Sequence, residues 1–315
     1  MASKRILVVG STLMTLSLNM YEIPAVGETA VDDGGVAYTP CGAGIASAVA
    51  FSRLGADAVL LSKLGRDAHG QRLYEYLRTS GVNTSVVKVD PDNPTGFSVV
   101  MRESATQAQR SVVYPGANGF ITTDNILEGL KCEPDAVYIS FDLPFPIALS
   151  AAKIAASRGI PVFIDASPAS SEHQLSALPR VTVFTLNDEE TLKYTGYKPM
   201  GFESSLRAAL ALSKMVNAEY IVIKLGARGS FVYDGKRSYM VAPKSAGKAV
   251  DTAGVGDAYT AALTLEYLRC GDIKAAMEYG SAAAAISVTR SGASASVPTE
   301  AEVQTLINQG NGGII

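Results

Sequence analysis

The stretch Asp251-Thr-Ala-Gly-Val-Gly-Asp-Ala-Tyr-Thr-Ala-Ala-Leu263 carries most of what the sequence says about fold and chemistry. Its small residues and two glycines lead directly into a predicted helix that ends just before Gly271. The first turn of such a helix has backbone N–H groups without partners, and together with the helix dipole they can bind an anion. Gly254 and Gly256 let the backbone approach a ligand closely, because they have no Cβ atom.

A carboxylate, Asp257, stands in the first turn of the same predicted helix. It can take the proton from a hydroxyl group that lies beside a phosphate bound by the N–H groups. Phosphoryl transfer needs this combination of charge stabilisation and a positioned base. A purely structural interpretation is also available, since acidic residues favour first turns and glycines make tight turns. This segment alone leaves both interpretations open.

Outward from this stretch, short apolar runs alternate with helical patterns. Buried strands are predicted at residues 6–10, 59–64, 136–141, 162–165, 181–185 and 220–225. Helices are predicted between them, for example at residues 46–54, 147–157 and 205–216. This alternation predicts an α/β fold, a three-layer αβα sandwich with a mostly parallel central sheet.

Two regions break this rhythm and read instead as strands and turns, and we predict that they form a small β lid on the larger domain. The predicted large domain comprises residues 1–11, 41–94 and 116–310, the lid comprises 12–40 and 95–115, and 311–315 form a frayed tail. Lid closure is expected to keep water from a bound phosphate. Because exposed β edges need cover, a homodimer through the lid is also expected.

Composition excludes several classes of protein. The 315 residues are 47% hydrophobic and carry a net charge of −3, which suits a large core and argues against nucleic acid or an anionic membrane as main partner. No apolar run is long enough to span a membrane. The three separated cysteines are typical of a cytoplasmic protein. With only two histidines, a multi-histidine metal site is excluded. The chain has no P-loop, no GxSxG and no GxGxxG motif, which argues against P-loop NTPases, α/β-hydrolases and dinucleotide-binding Rossmann enzymes.

Three further segments place polar or small residues at predicted turns. Asn187-Asp-Glu-Glu190 can hold Mg²⁺-bound water, but the spacing also matches a helix cap, which the residues alone favour. The glycines of Lys224-Leu-Gly-Ala-Arg-Gly-Ser230 can line a nucleotide or simply turn a hairpin. Cys41-Gly-Ala-Gly44 opens another predicted helix and can receive substrate hydroxyls at its backbone, although a lone GxG is weak evidence.

In order and spacing these segments resemble the ribokinase-like carbohydrate kinase family, also called the phosphofructokinase B family. The similarity is greatest to its ribokinase branch and covers nearly the whole chain. The matching stretches are Pro24–Thr29, Gly42–Gly55, Gly65–Gly70, Gly116–Asn118, Asn187–Glu190, Leu225–Gly229, Asp251–Asp257 and Ala282–Pro298.

The resemblance implies an ATP-dependent sugar kinase that transfers the γ-phosphoryl group to a hydroxyl of ribose, fructose or a related sugar. It implies that Asp257 is the general base and that the backbone of Ala253, Gly254, Val255 and Gly256 forms the anion hole. The residues expected at the nucleotide and Mg²⁺ are Asn187, Glu190, Lys224, Gly226 and Gly229, with Glu190 holding Mg²⁺ through water. The loop expected to bind a monovalent cation, K⁺ in potassium-activated members, contains Asp251, Ala253, Ser287, Arg290, Gly292 and Ser296.

Departures from the family pattern fall on the substrate side, where the expected residues are Thr15, Gly42, Ala43, Ala46 and Asp142. Thr15 stands where these kinases usually have Asp, Ala46 replaces an Asn, and Asp142 aligns with a Glu. Each lost partner of a sugar hydroxyl costs about 1–3 kcal/mol. The alternatives are therefore a nucleoside kinase of the same family, a catalytically inactive sugar-binding relative, or a related kinase of heterocyclic alcohols.

Overall fold

The structure is a computed structural model that describes residues 3–31, 34–106 and 108–311. Its strands are β1 (Arg5–Val9), β2 (Leu13–Met20), β3 (Val36–Cys41), β4 (Asp57–Leu61), β5 (Lys63–Gly65), β6 (Lys88–Asp90), β7 (Gly96–Glu103), β8 (Gln109–Tyr114), β9 (Ala136–Ser140), β10 (Val162–Asp165), β11 (Val181–Asn187), β12 (Ala218–Lys224), β13 (Ser230–Tyr233) and β14 (Ser238–Val241). Its α-helices are α1 (Ala43–Arg53), α2 (Ala68–Thr79), α3 (Thr123–Gly129), α4 (Phe145–Ser157), α5 (Asp188–Thr195), α6 (Phe202–Leu212), α7 (Val255–Cys270), α8 (Ile273–Ser287) and α9 (Glu300–Asn311).

An eight-stranded sheet forms the centre, in the order β14-β13-β12-β11-β10-β9-β1-β4. Its strands are parallel except for β13 and β14, which continue as antiparallel hairpins. Buried side chains of α1, α2, α7 and α8 pack on one face, and those of α3, α4 and α6 pack on the other. Because both faces are covered, strands such as β1 are continuous apolar runs rather than alternating ones. The predicted αβα sandwich is confirmed.

The apolar run predicted as one strand over residues 59–64 is two strands. Only β4 joins the central sheet, whereas β5 pairs with β6 in a separate two-stranded sheet. The break is at Ser62, whose hydroxyl donates to Oδ1 of Asn118 at 2.9 Å, while its carbonyl accepts from the N–H of Lys88. These bonds draw the chain away from β1. The first helix is also longer than predicted, since it begins at Ala43 rather than residue 46.

The two regions predicted to be strands and turns supply a second sheet of four strands, β3-β2-β7-β8. β2 and β7 are parallel and central, and β3 and β8 pair with them as antiparallel edges. Cys41, which we assigned to the large domain, is the last residue of β3. The division into body and lid stays a prediction. Of the predicted tail, Asn311 is the last residue of α9, and 312–315 lie outside the described residues.

Parallel strands bring their carboxyl ends to one edge of the sheet, where α/β proteins bind ligands. Here Ser140, Asp165, Asn187 and Lys224 end four successive strands, β9 to β12. Two helix N-termini, those of α1 and α7, also lie at this edge, because residues of each line the same cleft as these strand ends. The topology thus assembles carboxylates, an ammonium group and two helix dipoles in one place.

Within the described ranges, no helix is both long enough and apolar enough to cross a membrane. The cytoplasmic location expected from the cysteines stays a prediction.

Candidate active site

A cleft of about 710 Å³ opens at the carboxyl edge of the central sheet. It brings together residues that the sequence places far apart. The residues predicted for catalysis or ligand binding that line it are Ala43, Asn187, Glu190, Lys224, Gly226, Gly229, Val255, Gly256 and Asp257. The cleft is therefore the candidate active site.

The N-terminus of α7 forms one wall of this cleft. Gly254 caps the helix in the left-handed conformation, with φ 73°. A Cβ atom at Gly254 would lie 2.3 Å from the carbonyl oxygen of Ala293, so only glycine fits there. The turn that follows leaves Gly256 exposed and lets the first N–H groups of the helix face the cleft.

Asp257 lies half-buried on the cleft wall, in the first turn of α7. Its Oδ1 accepts a hydrogen bond from the hydroxyl of Ser47 on α1, at 3.1 Å. Burial and the nearby carboxylate of Asp165 raise the pKa of Asp257 to about 7, against the opposing effects of Lys224 and Ser47. A carboxylate with such a pKa can accept a proton near neutral pH and release it again.

A buried polar cluster lies below the first turn of α7. The ammonium of Lys224 is 2.6 Å from Oδ2 of Asp165, and the Thr260 hydroxyl donates to the same oxygen at 2.9 Å. Burial opposes the charge on Lys224, but Asp165 and Glu190 outweigh it and raise its pKa, so the ammonium stays protonated. Since Lys224 Nζ is 3.5 Å from where a Cβ of Gly256 would be, its charge lies close to the backbone of the predicted anion hole.

Asn187 and Glu190 form the reciprocal cap of α5 that the residues alone favoured. The Asn187 side chain accepts from the N–H of Glu190 at 2.8 Å, and Oε2 of Glu190 accepts from the N–H of Asn187 at 2.7 Å. Both residues also line the cleft. The cap interpretation is confirmed, and the role of the pair at Mg²⁺ stays a prediction.

The oxygen donors on the cleft suit a hard cation such as Mg²⁺. Oδ1 of Asp165 is buried and, within the described part of the chain, has no hydrogen-bond partner. Glu190 presents a second carboxylate on the same cleft. The described residues contain no group of three or more His, Cys, Asp or Glu side chains that could hold a metal alone. A bound Mg²⁺ would therefore take most of its ligands from phosphate and water, as this ion commonly does.

The segment predicted to meet the nucleotide is a tight turn between β12 and β13, so the hairpin interpretation is confirmed. Gly226 and Gly229 have φ angles of 58° and 89°. A Cβ at Gly229 would collide with the carbonyl oxygen of Val241 at 2.1 Å, whereas one at Gly226 would meet nothing within 4 Å. Gly229 is thus required by packing, and Gly226 borders open space in the cleft.

The residues predicted for the substrate lie where β1, β2 and α1 meet. Asp142 accepts hydrogen bonds from the hydroxyl of Ser11 and from the N–H of Ala43, the latter at 2.8 Å, and burial raises the pKa of Asp142. Gly42 caps α1 with φ 105°. Asp142 therefore fixes the N-terminus of α1 rather than standing free on the cleft.

Thr15 and Ala46, two of the positions that depart from the family pattern, are either already hydrogen-bonded or apolar. The Thr15 hydroxyl is 2.5 Å from that of Ser98 across β2 and β7, and Thr15 is buried. Ala46 is buried within α1. Neither supplies a free polar group to replace the carboxylate and amide usual at these positions.

The six residues predicted for a monovalent cation come together at two adjoining loops. Asp251 accepts from the N–H groups of Ala253 and Gly292, each at 3.0 Å, and so ties the loops to one another. The hydroxyls of Ser287 and Ser296 lie 2.7 Å apart, whereas Arg290 pairs with Glu302 on α9. With these side chains engaged, the arrangement fits a cation held mainly by backbone carbonyls. The cation site itself stays a prediction.

Four functional candidates escaped the sequence analysis: Ser11, Ser47, Tyr138 and Asp165. Asp165 ends a predicted buried strand next to the strand that leads to Asn187, so the strand-end pattern was a usable signal. Ser47 and Tyr138 lie inside a helix and a strand, and only tertiary packing brings Ser47 into a hydrogen bond with Asp257 and Tyr138 within electrostatic range of it.

Curated relatives of similar sequence are sugar kinases. The chain is 28% identical over 310 residues to a bifunctional ribokinase/ribose-5-phosphate isomerase A of Fructilactobacillus sanfranciscensis, covering 97% of this chain and 56% of that protein. It is 29% identical over 310 residues to ribokinase of Bacillus subtilis, covering 97% of this chain and all of that protein. It is 27% identical over 299 residues to deoxyribokinase of Salmonella typhi, covering 93% and 95%.

Among solved structures, the ribokinase of Arabidopsis thaliana complexed with ribose and ATP superposes with a TM-score of 0.86. The two sequences are 25% identical, and the match covers 97% of this chain and 99% of that one. The fold is thus shared over nearly the whole length of both chains.

Residues 3–300 match the pfkB family carbohydrate kinase. With these relatives, that match defines a phosphotransferase that acts on a sugar hydroxyl. The chain belongs to the pfkB family of carbohydrate kinases.

The Lys224–Asp165 pair generates a stability prediction. Lys224→Met should destabilise the protein by about 3–5 kcal/mol, because it leaves a buried, uncompensated carboxylate. The double variant Lys224→Met/Asp165→Asn should recover most of that loss. Urea unfolding measures both, with Lys198→Met as control, since its 2.7 Å pair with Glu189 is solvent-exposed and should contribute about 1 kcal/mol or less. Asp165→Asn alone completes the comparison. If the loss of unfolding free energy in the double variant equals the sum of the losses in the two single variants, the two residues are not coupled.

Proposed function

We propose that this protein is an ATP-dependent kinase that transfers the γ-phosphoryl group to a hydroxyl of a small sugar, namely ribose, fructose or a related sugar. The observation that carries the proposal is Asp257 on the cleft wall, in the first turn of α7 and above the Lys224 ammonium. An anion hole, a fixed positive charge and a base with a pKa of about 7 then converge on one point. The relatives named as ribokinases support both the sugar and ATP.

In the proposed reaction, the sugar hydroxyl oxygen attacks the γ-phosphorus in line with the departing ADP. The new O–P bond forms as the bond to the β,γ-bridging oxygen breaks, and ADP leaves with that electron pair. Asp257 takes the hydroxyl proton. Charge that develops on the transferred group is stabilised by the N–H groups at Val255 and Gly256 and by Lys224. Mg²⁺, bound near Glu190 through water, would supply further neutralisation of phosphate charge.

The side chains at the predicted substrate wall bear on which acceptor this kinase phosphorylates. Thr15 has its hydroxyl engaged with Ser98, and Ala46 offers no polar group. A sugar that lacks a hydroxyl at this wall would lose nothing there, so deoxyribose joins ribose and fructose, in keeping with the deoxyribokinase relative. The same apolar wall, with buried Met14, favours a nucleoside as the second candidate acceptor. An inactive sugar-binding relative is less compatible with a complete anion hole and base.

The four-stranded sheet supports a homodimer as part of the proposal. Its edge strands, β3 and β8, leave apolar side chains exposed, and a second copy of the sheet would cover both them and the unpaired backbone. These exposed residues are Val36, Tyr38, Val112, Val113 and Tyr114.

A coupled assay of ATP consumption over a panel of sugars and nucleosides tests the acceptor. We expect turnover with ribose, deoxyribose or fructose, and faster turnover in K⁺ than in Li⁺ at equal ionic strength. Preference for a nucleoside would select the second candidate. The absence of turnover with every sugar and nucleoside would overturn the proposed acceptors and leave the inactive sugar-binding relative and the kinase of heterocyclic alcohols.

Asp257→Asn tests the base. The substitution should lower kcat by a factor of about 10²–10⁴, with little change in the KM for ATP, because the amide cannot accept the proton. In the unsubstituted enzyme, kcat/KM should rise with pH and level off above about 7, since Asp257 must be ionised to act. Asp124→Asn, in the exposed first turn of α3, is the control. Near-normal turnover of Asp257→Asn would remove Asp257 from this role.

Sedimentation velocity tests the dimer. Val112→Lys places a charge on the edge strand β8 and should convert a dimer to a monomer, because desolvating the ammonium at the interface is unfavourable. Leu210→Lys introduces the same charge at an exposed apolar position of α6 and should leave the dimer intact. A monomer in the unsubstituted protein at micromolar concentration would refute the dimer.

A further inference from the structure

Two buried hydroxyl groups below Asp257 have no role in the reaction as described above. Ser47, on α1, is completely buried and donates to Oδ1 of Asp257 at 3.1 Å. Tyr138, on β9, is also completely buried, and its hydroxyl has no hydrogen-bond partner among residues 3–31, 34–106 and 108–311. An unpaired hydroxyl in a core is unfavourable for stability, and a phenylalanine would fill the same space without that cost. What distinguishes Tyr138 from Tyr279, whose hydroxyl on α8 is also buried without a partner in the described part of the chain, is its proximity to the carboxylates of Asp165 and Asp257.

The position of Tyr138 in the sheet directs its side chain toward the active-site face. Tyr138 pairs with Phe163, and Ser140 pairs with Asp165, in the parallel ladder of β9 and β10. Residues two apart on a strand share a face, so Tyr138 and Asp165 are on the same side of the sheet, under α1 and α7. Burial raises the pKa of Tyr138, as do the carboxylates of Asp165 and Asp257, while the Ser47 hydroxyl lowers it. The phenol therefore stays protonated and has a proton to donate.

The two hydroxyls are complementary as donor and acceptor. Ser47 has one hydroxyl proton, which it gives to Asp257, and its oxygen keeps lone pairs that can accept. A protonated Tyr138 is a donor that matches them. A chain from Tyr138 through Ser47 to Asp257 would polarise the serine hydroxyl and strengthen its bond to the carboxylate.

We propose that Ser47 is a positioning residue for Asp257 and that Tyr138 supports the Ser47 hydroxyl when the site closes on its substrates. Oδ1 of Asp257 is then held, and Oδ2 is the oxygen that receives the substrate proton as the new O–P bond forms and ADP departs. This inference rests on the proposed function of Asp257 as base, and it adds two residues that act through Asp257 without touching the substrate.

The charges around Asp257 fix the direction of the expected pH effect. Asp165, at the end of β10, and Asp142, after β9, raise the pKa of Asp257, and Lys224, at the end of β12, lowers it. From α1, the Ser47 hydroxyl also lowers it by binding the ionised form. Removing that hydroxyl should move the pKa upward, so less of the base is ionised at neutral pH.

The test compares Ser47→Ala and Tyr138→Phe in the full chain with two matched controls. Ser52→Ala removes another hydroxyl from α1, one that donates to the carbonyl of Gly81 at 3.0 Å. Tyr279→Phe removes another buried hydroxyl that has no partner in the described part of the chain. We measure kcat, the KM for ATP and the melting temperature across a pH series.

Ser47→Ala should lower kcat at least about tenfold at neutral pH and move the acidic limb of the profile to higher pH, with the KM for ATP unchanged. Tyr138→Phe should lower kcat several-fold while its melting temperature stays equal or rises. Ser52→Ala and Tyr279→Phe should leave kcat and the profile as they were. If Ser47→Ala does not fold, Ser47→Cys, which keeps size and a weak donor, should give an intermediate kcat. Wild-type kcat and pH profile in both test variants would overturn the inference.

A second readout separates this inference from the proposed function. Carboxyl ¹³C NMR follows the titration of Asp257 without substrate, in the wild type and in Ser47→Ala. A higher titration midpoint in Ser47→Ala supports the positioning role even if no acceptor in the panel is phosphorylated, whereas an unchanged midpoint overturns it. A lack of turnover in the wild type, by contrast, counts against the proposed function alone.

Discussion

The contact between Gly254 and Ala293 is the constraint on which the active site depends. The Ala293 carbonyl leaves no room for a Cβ atom at position 254, so only glycine can adopt the left-handed conformation with which the chain enters α7. The helix then begins directly over the carboxyl ends of β10, β11 and β12, with its first N–H groups and Asp257 facing the cleft. The proposed anion hole and the proposed base are thus products of one backbone turn.

Charge balance below that turn is the second requirement. A helix N-terminus and Lys224 favour anions, while burial and Asp165 keep the pKa of Asp257 near neutrality. Each group limits the effect of another, because the ion pair holds the ammonium in place and the ammonium keeps Asp257 from becoming a permanently neutral acid. The site is best understood as one coupled set of charges at the end of a parallel sheet.

The alternation of apolar runs and helical patterns predicted the αβα sandwich correctly, because parallel strands covered on both faces leave a simple signature. The run at 59–64 was misjudged, since both strands β4 and β5 are apolar and only the bonds at Ser62 separate them. At the site, the glycine-rich turn and Asp257 were visible as local features. Ser47 and Tyr138 were not, because their importance comes from neighbours distant in sequence, and Asp165 was missed although its place at the end of a predicted strand was a usable signal.

The order of residues by itself determined the fold class, the family and the helix N-terminus that we propose binds an anion, because periodicity and glycine placement act over a few neighbouring residues. Tertiary structure alone decided which side chains lie beneath that terminus. It also decided that the Thr15 hydroxyl is hydrogen-bonded to Ser98. It also decided the proton affinity of Asp257. These properties depend on burial and on distances between charges, and both are set only when separate segments of the chain pack together.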